Sequence, residues 1–481
     1  MSAAGGFPNW VLLEPFVFRR DDESFPDESK APIKASGVTS WGACFSITFS
    51  IAKPPHISQL YARLPRPGFL GPEVMTPLAI LATHRHLVLL GVETLTPELL
   101  GCQNFFIYNA ENPSSLLQML PLCTESNIVC DDGSSLPASS TPRSTPRLLD
   151  SGSMGIWIQG KCFVVAELSR CQPSDCSKVF AEIYLLRCMS SKRYWLRSSS
   201  ESKWAFLRAE ILSTKPYDED LWQLCLWQTD TVIPFQHWLC WIDYHQGILF
   251  YDMMELEVDT HTLSFLRFPQ DESHPTIKRT ARSSSFYRGA SVVDQGRALK
   301  FVNVTRDDGV LFGALKPGSG FTITCNTLML GDGISASSMK WVEDYTVTSK
   351  ELWDTNKDRL PRDILMFPRV DIERPYVVHF LLIEFGYAKK KMWVVSIDMN
   401  TSTVESFFKY IDGWEGLQGD DADLIMDKSM SPMPFLPCEF PRFCNLSRIR
   451  RGHRFGSDFG AEFQIRARPK ACAKPGVRNE H

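Results

Sequence analysis

The chain alternates large apolar with small polar residues in short runs. "CFSITFSIA" (44–52), "NFFIYNA" (104–110), "KVFAEIYLLRC" (178–188), "ALKFVNVT" (298–305), "GFTITCNTLML" (320–330) and "KWVEDYTVT" (340–348) each span 7 to 11 positions. They are rich in β-branched and aromatic residues and bounded by Gly, Pro, Asn or Asp, which predicts strands. "LAILATHRHLVLLGV" (78–92) is apolar at both ends of a His-Arg-His centre, and "GIWIQGKCFVVAEL" (155–168) reads as two strands around Gly160-Lys161. "YVVHFLLIEFG" (376–386) and "MWVVSIDMNTSTVESFFKY" (392–410) close the series. Helix signals are few: "YDEDLWQLCLW" (217–227), and "TSKELWDTN" (348–356) with Thr348 and Ser349 as candidate N-caps. Strands and helices do not alternate, which argues against a parallel doubly wound sheet.

The runs recur as units. In 239–269 an apolar strand meets a His-Gln-Gly turn, a second strand ends at Asp252, and a third stops at Pro269. The same order of strand, turn and strand ending in Asp returns at 377–410, with Asp398 in the place of Asp252. Segments 155–212, 290–348 and 78–123 repeat it with longer insertions, and 44–64 makes a sixth. Such repetition predicts an all-β fold, an irregular β-propeller-like array of about six antiparallel units with minor short helices. The alternative is two packed β-sandwich domains. Inner strands are expected at 239–244, 298–304 and 376–383. Within "WLCWIDYHQGILFYDM" (238–253), both strands are apolar on both faces. Trp241, Ile248 and Phe250 are therefore core positions, Gly247 supplies the hairpin turn, and Asp252 forms an Asx-turn where its strand ends.

Two stretches lack the residues to build a core. "DDGSSLPASSTPRSTPR" (131–147) is rich in Ser, Thr and Pro, and 448–481 carries nine Lys or Arg against three acids. The expected organisation is one domain over 1–447, containing a disordered loop at 131–147, and a loosely ordered basic tail over 448–481. Ser134, Ser135, Ser139, Ser140, Thr141, Ser144 and Thr145 lie near Pro or Arg and are candidate phosphorylation positions. Limited proteolysis should cut 131–147 before any site except the termini.

Apolar residues at 44% with 31 Phe and 13 Trp supply a large core, while a net charge of -4 argues against a nucleic-acid partner. No run reaches about 18 apolar residues, so no membrane partner is expected, and the N-terminal stretch has no signal-peptide pattern. The scattered cysteines read as reduced thiols. These features predict a monomer in the cytoplasm or nucleus.

Candidate chemistry fails on named requirements. His84 and His86 would share a strand face about 7 Å apart but lack a third ligand. Cys171 and Cys176 have no second knuckle, since Cys162 and Cys188 are wrongly spaced. "GALKPGSGF" (313–321) has Ser319 where a phosphate loop needs Lys. "GDDADLIMD" (419–427) lacks the Gly and Glu of a calcium loop. One arrangement stays open: Asp243, His245 and Asp252 flank a turn that could converge with His379 and Asp398. The expectation is no metal, no cofactor and no catalytic residue.

"VLLEPFVFRR" (11–20), "WLCWIDYHQGILFYDM" (238–253), "GFTITCNTLML" and "KKMWVVSIDM" (390–399) resemble the family named domain of unknown function 1618, abundant in grasses. The resemblance runs to about Leu446. It implies a plant source and no established catalytic residues. The unit pattern is similar to that of propellers following F-box motifs, but residues 1–43 hold no Leu-Pro-x-Glu-Leu opening. The expected function is a non-catalytic protein-interaction scaffold. The alternative is an enzyme whose site gathers residues from several units around a central channel.

Overall fold

The computed structural model describes residues 6–445 except 67, 71–76, 96–100, 112–115, 125–127, 131–146, 174–177, 190–202, 215–220, 255–260, 270–283, 331–337, 358, 386–390 and 412–432. The cluster at 419–427, the loop at 131–146 and the tail therefore lie outside the described residues.

Six antiparallel units follow one another along the chain. Unit two is built on Leu78–His84, Leu87–Leu95, Gly101–Asn109 and Gln118–Met119. Unit three has Met154–Gln159, Cys162–Pro173, Val179–Met189 and Trp204–Ser213. Unit four has Thr231–Phe235, Trp238–Asp243, Gly247–Asp252 and Thr262–Arg267. Unit five has Arg288–Val293, Ala298–Arg306, Phe321–Met329 and Lys340–Thr348, and unit six Leu365–Val370, Val377–Ile383, Met392–Asp398 and Thr403–Ile411. First strands of successive units pack on one another from unit two to unit six. The array is all-β and propeller-like.

Unit one is assembled from both ends of the chain. Ile33–Val38, Cys44–Ser50 and Ile57–Arg63 form an antiparallel ladder. Val11–Arg19 joins it in parallel beside Ile57–Arg63. The strand Leu436–Cys438 then pairs antiparallel with Val11–Arg19, matching Val11 with Cys438 and Leu13 with Leu436. The innermost strand of the first unit thus comes from the far end of the chain. Val11, Leu12 and Leu13 are completely buried at this seam, and Phe440 beyond it packs against Phe49 and Tyr108. Across the same seam Tyr410 of unit six donates to the buried Glu14 carboxylate at 2.5 Å.

The three strands expected as inner strands are the second strands of units four, five and six, each inside its sheet. Second strands have a sheet neighbour on each edge and packed units on each face, so apolar residues fill both of their faces: every residue of Trp238–Asp243 and Val377–Ile383 is buried. First strands line the axis and can be less apolar; Thr231–Phe235 buries only Phe235 fully. Units three and four depart further from independent blades. Their outermost strands pair in parallel, Glu210 with Thr262 through Ser213 with Phe265, giving one nine-stranded sheet. Equivalent strands of neighbouring units run in the same direction, so their edges can only join in parallel. The joined units enclose Trp157, Val164, Leu239, Trp241, Leu249 and Phe265.

The local chemistry explains the turns. Gly247 has no Cβ because one would collide with the Leu266 carbonyl oxygen on the adjacent strand; close approach, more than hairpin geometry, requires glycine there. Asp252 accepts from Met254 N–H at 2.8 Å, and Asp398 accepts from Asn400 N–H at 2.8 Å, as Asx-turns. Segment 217–227 contributes a 3-10 turn at Leu221–Leu226. The helix Ser349–Thr355 starts from Thr348 in a capping box with Glu351.

Phe250 is 1% exposed and meets Trp238 edge-on. Phe250→Ala should cost about 3–5 kcal/mol, the range for a core aromatic. Chemical denaturation of the two proteins would measure it, and a loss under about 1 kcal/mol would contradict this packing.

Candidate functional site

The two ends of the array differ. In units two, three and four, the turn after the first strand has two residues, Arg85-His86, Gly160-Lys161 and Gln236-His237, with positive φ at the first of each. These turns interlock. Ile158 N–H donates to His84 Nδ1 at 3.1 Å, Trp157 Nε1 to the Gln236 carbonyl at 3.2 Å, and Gln236 Nε2 to the Arg297 carbonyl at 3.2 Å. Thr83 donates to Cys438 Sγ, and Asn9 to Glu373 at 2.6 Å, carrying the same face through the seam.

The opposite face takes every connection between units two to six and every turn between second and third strands, because antiparallel strands return the chain there. Its segments are long: 120–153, 214–230, 268–287, 307–320 and 349–364. In unit one the turn 39–43 and the connection 64–77 open onto this face too, as Leu436–Cys438 ends at Thr83 on the other. Trp41 (51% exposed), Leu70, Leu148, Leu226, Phe312 (43%) and Met433 stand exposed on it. Among the described residues, Leu116, Met254 and Met329 are exposed on or beside the connections between third and fourth strands, which leave from the short-turn face.

Loop 307–320 is held rigidly. Arg306, buried, donates twice to Asp308 at 2.7–2.9 Å and to the Gly313 and Ala314 carbonyls at 2.7 and 2.9 Å. Hydrogen bonding from Arg306 holds the Asp308 carboxyl well below the usual carboxylate range. Gly309, Gly313 and Gly318 take positive φ, and Phe312 rests between Phe286 and Phe385 at 4.9 and 5.2 Å. The segment 313–321 is thus part of a braced connecting loop, presenting an aromatic ring.

The turn at 243–247 is short, and its polar groups are occupied. Asp243 Oδ1 accepts from His245 and Gln246 N–H at 2.8 and 3.1 Å, and Oδ2 from Gln228 N–H and Gln246 Nε2 at 3.0 Å. Asp230 accepts from Tyr244 N–H at 2.7 Å, and burial pushes its carboxyl up to about 7. Tyr244 then bridges to unit five: its carbonyl accepts from Arg288 at 2.6 Å, its hydroxyl oxygen from Ala290 N–H at 3.1 Å.

The other candidates are separated. Arg85 forms the bend between His84 and His86, so the two histidines occupy a hairpin and do not share a strand face. The polar centre of the apolar run is the turn itself. His84 accepts a main-chain N–H and burial holds it down to about 3, in the neutral form. Cys171 is level with Ala181 while Cys188 is level with Phe163, eight positions away or ~26 Å. Asp252 is level with Trp238 and Asp243 with Gly247, at opposite ends of their hairpin about 16 Å apart. His379 is buried in unit six, its Nδ1 2.8 Å from Ser396 Oγ and its Nε2 3.4 Å from Asp371, with Ser406 donating to Ser396 at 2.7 Å. This Asp371–His379–Ser396–Ser406 line was not anticipated; its members lie up to 35 residues apart. With Asp371, His379 and Ser396 all under 4% exposed, it ties the strands together across the sheet. Among the described residues no three His, Cys, Asp or Glu side chains are placed to hold a metal ion.

Glu167 is a second group outside the sequence reading. It is 2% exposed, accepts from Asp150 N–H at 3.1 Å through Oε1, and leaves Oε2 without a partner. Burial pushes its carboxyl from 4.5 up to about 7. The folded protein therefore keeps the proton to about pH 7, while the unfolded chain releases it near 4.5. Stability should fall as pH rises from 4.5 to 7, by on the order of 3 kcal/mol, and level off above. In melts from pH 4 to 8, Glu167→Gln should gain on the parent across that window alone. A difference independent of pH would show an ionised Glu167.

A model of a family of proteins of unknown function (DUF1618) matches residues 241–379. No curated protein matches. Among solved structures, the chain is similar to the β-propeller domain of Nup133 from Vanderwaltozyma polyspora: 10% identity, 72% of this chain, 78% of that one, TM-score 0.31. It is also similar to an ulvan lyase of polysaccharide lyase family PL25, at 8% identity, 70% and 84% coverage and TM-score 0.25. At such scores neither likeness says more about the chain than its own sheets do. The described residues contain no helix long and apolar enough to cross a membrane.

Proposed function

We propose that the protein is a non-catalytic interaction scaffold whose long-loop face receives a protein partner. The observation that carries this is the unequal distribution of exposed apolar side chains between the two faces. Among the described residues, Trp41, Leu70, Leu148, Leu226, Phe312 and Met433, two of them aromatic, stand on connections of one face, whereas the connections between third and fourth strands expose the aliphatic Leu116, Met254 and Met329. Aromatic rings presented on braced loops suit protein contacts, because they bury large areas with little loss of side-chain freedom. Loops of this kind can vary while the sheets beneath keep their packing. The catalytic alternative has less to support it: Glu167 Oε2 is sealed from solvent and the Asp371–His379–Ser396 line runs inside a sheet.

The finer reading is a cytoplasmic or nuclear protein of the grass-abundant family, acting as a monomer with one domain over 1–447 and an appended basic tail. Similarity of unit pattern to the propellers that follow F-box motifs is compatible with a recognition role.

Affinity capture from plant tissue with mass spectrometry tests the proposal. The double variant Trp41→Ala, Phe312→Ala should lose most captured partner, at least tenfold, while Met254→Ala, Met329→Ala retains it. The opposite pattern would place binding on the short-turn face.

A further inference from the structure

Buried cations in this protein come with carboxylates. Arg19 donates to Asp21 at 2.8 Å, Arg306 to Asp308 at 2.7 Å, and Lys300 to Asp344 at 2.7 Å. Arg369 breaks the pattern. It lies on the first strand of unit six, 4% exposed, against Gly289 of unit five. Its Nε donates to the Phe435 carbonyl at 2.9 Å and its Nη1 to the Pro368 carbonyl at 3.1 Å. Among the described residues no carboxylate reaches it, and Nη2, with two N–H groups, donates to none of them and keeps contact with solvent.

A second donor without an acceptor stands beside it. Tyr244 is 1% exposed. Its hydroxyl oxygen receives Ala290 N–H at 3.1 Å and Arg369 Nη1 at the long limit of 3.5 Å. Both incoming groups are donors, so the hydroxyl hydrogen of Tyr244 is left with no acceptor among the described residues. A buried charge with neutral partners is costly, and so is a buried donor without an acceptor. One group relieves both: a small anion with two oxygens.

We propose that Arg369 and Tyr244 form an oxyanion site at the inner junction of units four, five and six, taking a carboxylate or phosphate group. With Nε and Nη1 held by carbonyls, the guanidinium has the two N–H groups of Nη2 to offer the ligand, charge-assisted donors that suit both chemistries. The Tyr244 hydroxyl donates the further hydrogen bond. Gly289 leaves room for the guanidinium, since a Cβ there would stand 2.8 Å from Nη1. Phe435 leads directly into the closing strand Leu436–Cys438, so an occupied site would also hold the seam of the ring through Arg369.

Calorimetric titration of the full chain with inorganic phosphate, and separately with sodium acetate, tests this against sodium chloride at matched ionic strength. Saturable binding of either oxyanion is expected, and which one binds separates a phosphate from a carboxylate ligand. Tyr244→Phe keeps the ring against Phe268 and should weaken binding about tenfold, the loss of one hydrogen bond to a charged group. Arg369→Lys keeps the charge, loses the Nη2 donors along with the two carbonyl contacts that aim them, and should weaken it at least as much. A response to both oxyanions no greater than to chloride would mean the site holds water only and would overturn the proposal. So would unchanged binding by folded Tyr244→Phe, which decides the matter alone should the Arg369 variant not fold.

Discussion

The structure depends on closing a ring with three residues. Leu436–Cys438 must find Val11–Leu13 across the whole length of the array. Closing a loop of about 420 residues costs roughly 5 kcal/mol in chain entropy, and the cost grows only slowly with length. Complete burial of an aliphatic or aromatic side chain stabilises by about 1.5–3 kcal/mol, so a few such residues offset it. Leu12, Leu13, Phe435 and Phe440, each at most 3% exposed, meet that need. Without closure the inner edge of Val11–Arg19 and the facing side of unit six would both meet water. Units two to five are flanked by their neighbours in sequence, and units one and six gain their second neighbour through this seam.

That constraint was hard to read from the chain. "LPC" has no alternation, contains a proline and follows a polar stretch, and its partner lies more than 400 residues away. The six units, by contrast, were legible because second and third strands such as Trp238–Asp243 and Gly247–Asp252 are apolar on both faces and separated by recognisable turns. The same strength marked 239–244, 298–304 and 376–383 as inner strands, and each has a sheet neighbour on both edges. Hydrophobicity peaks one strand out from the axis, where packing comes from every side, so the most apolar strands are the second and not the first. The parallel joining of units three and four carried no signal, since edge pairing is made by main-chain groups and leaves side-chain pattern unchanged.

Sites follow a similar rule. A carboxylate at the end of a strand is explained by its own neighbours in sequence, and the Asx-turns of Asp252 and Asp398 could be anticipated. The line from Asp371 through His379 to Ser396 could not, because Asp371 follows the first strand of unit six while His379 and Ser396 sit on the second and third, and only the folded sheet brings them together. The two histidines around Arg85 show the converse error: a short polar centre between apolar runs was read as strand face where the chain reverses.

The stretch 238–253 now has a physical account. Leu239, Trp241 and Leu249 fill the core of joined units three and four, Trp238, Ile242, Ile248 and Phe250 pack on the opposite face against unit five, and its aspartates satisfy main-chain groups. Tyr244, in the middle of the turn, is the residue that reaches outward from the unit. Its main chain is fixed by Asp230 and Arg288, so the ring is aimed by bonds that do not involve the hydroxyl. A ring aimed in this way, whose hydroxyl receives two donors and meets no acceptor, is more constrained than core packing requires. In a fold whose other buried cations, Arg19, Arg306 and Lys300, each meet a carboxylate, Arg369 meets carbonyls and the Tyr244 hydroxyl, at the place where three units and the closing segment meet.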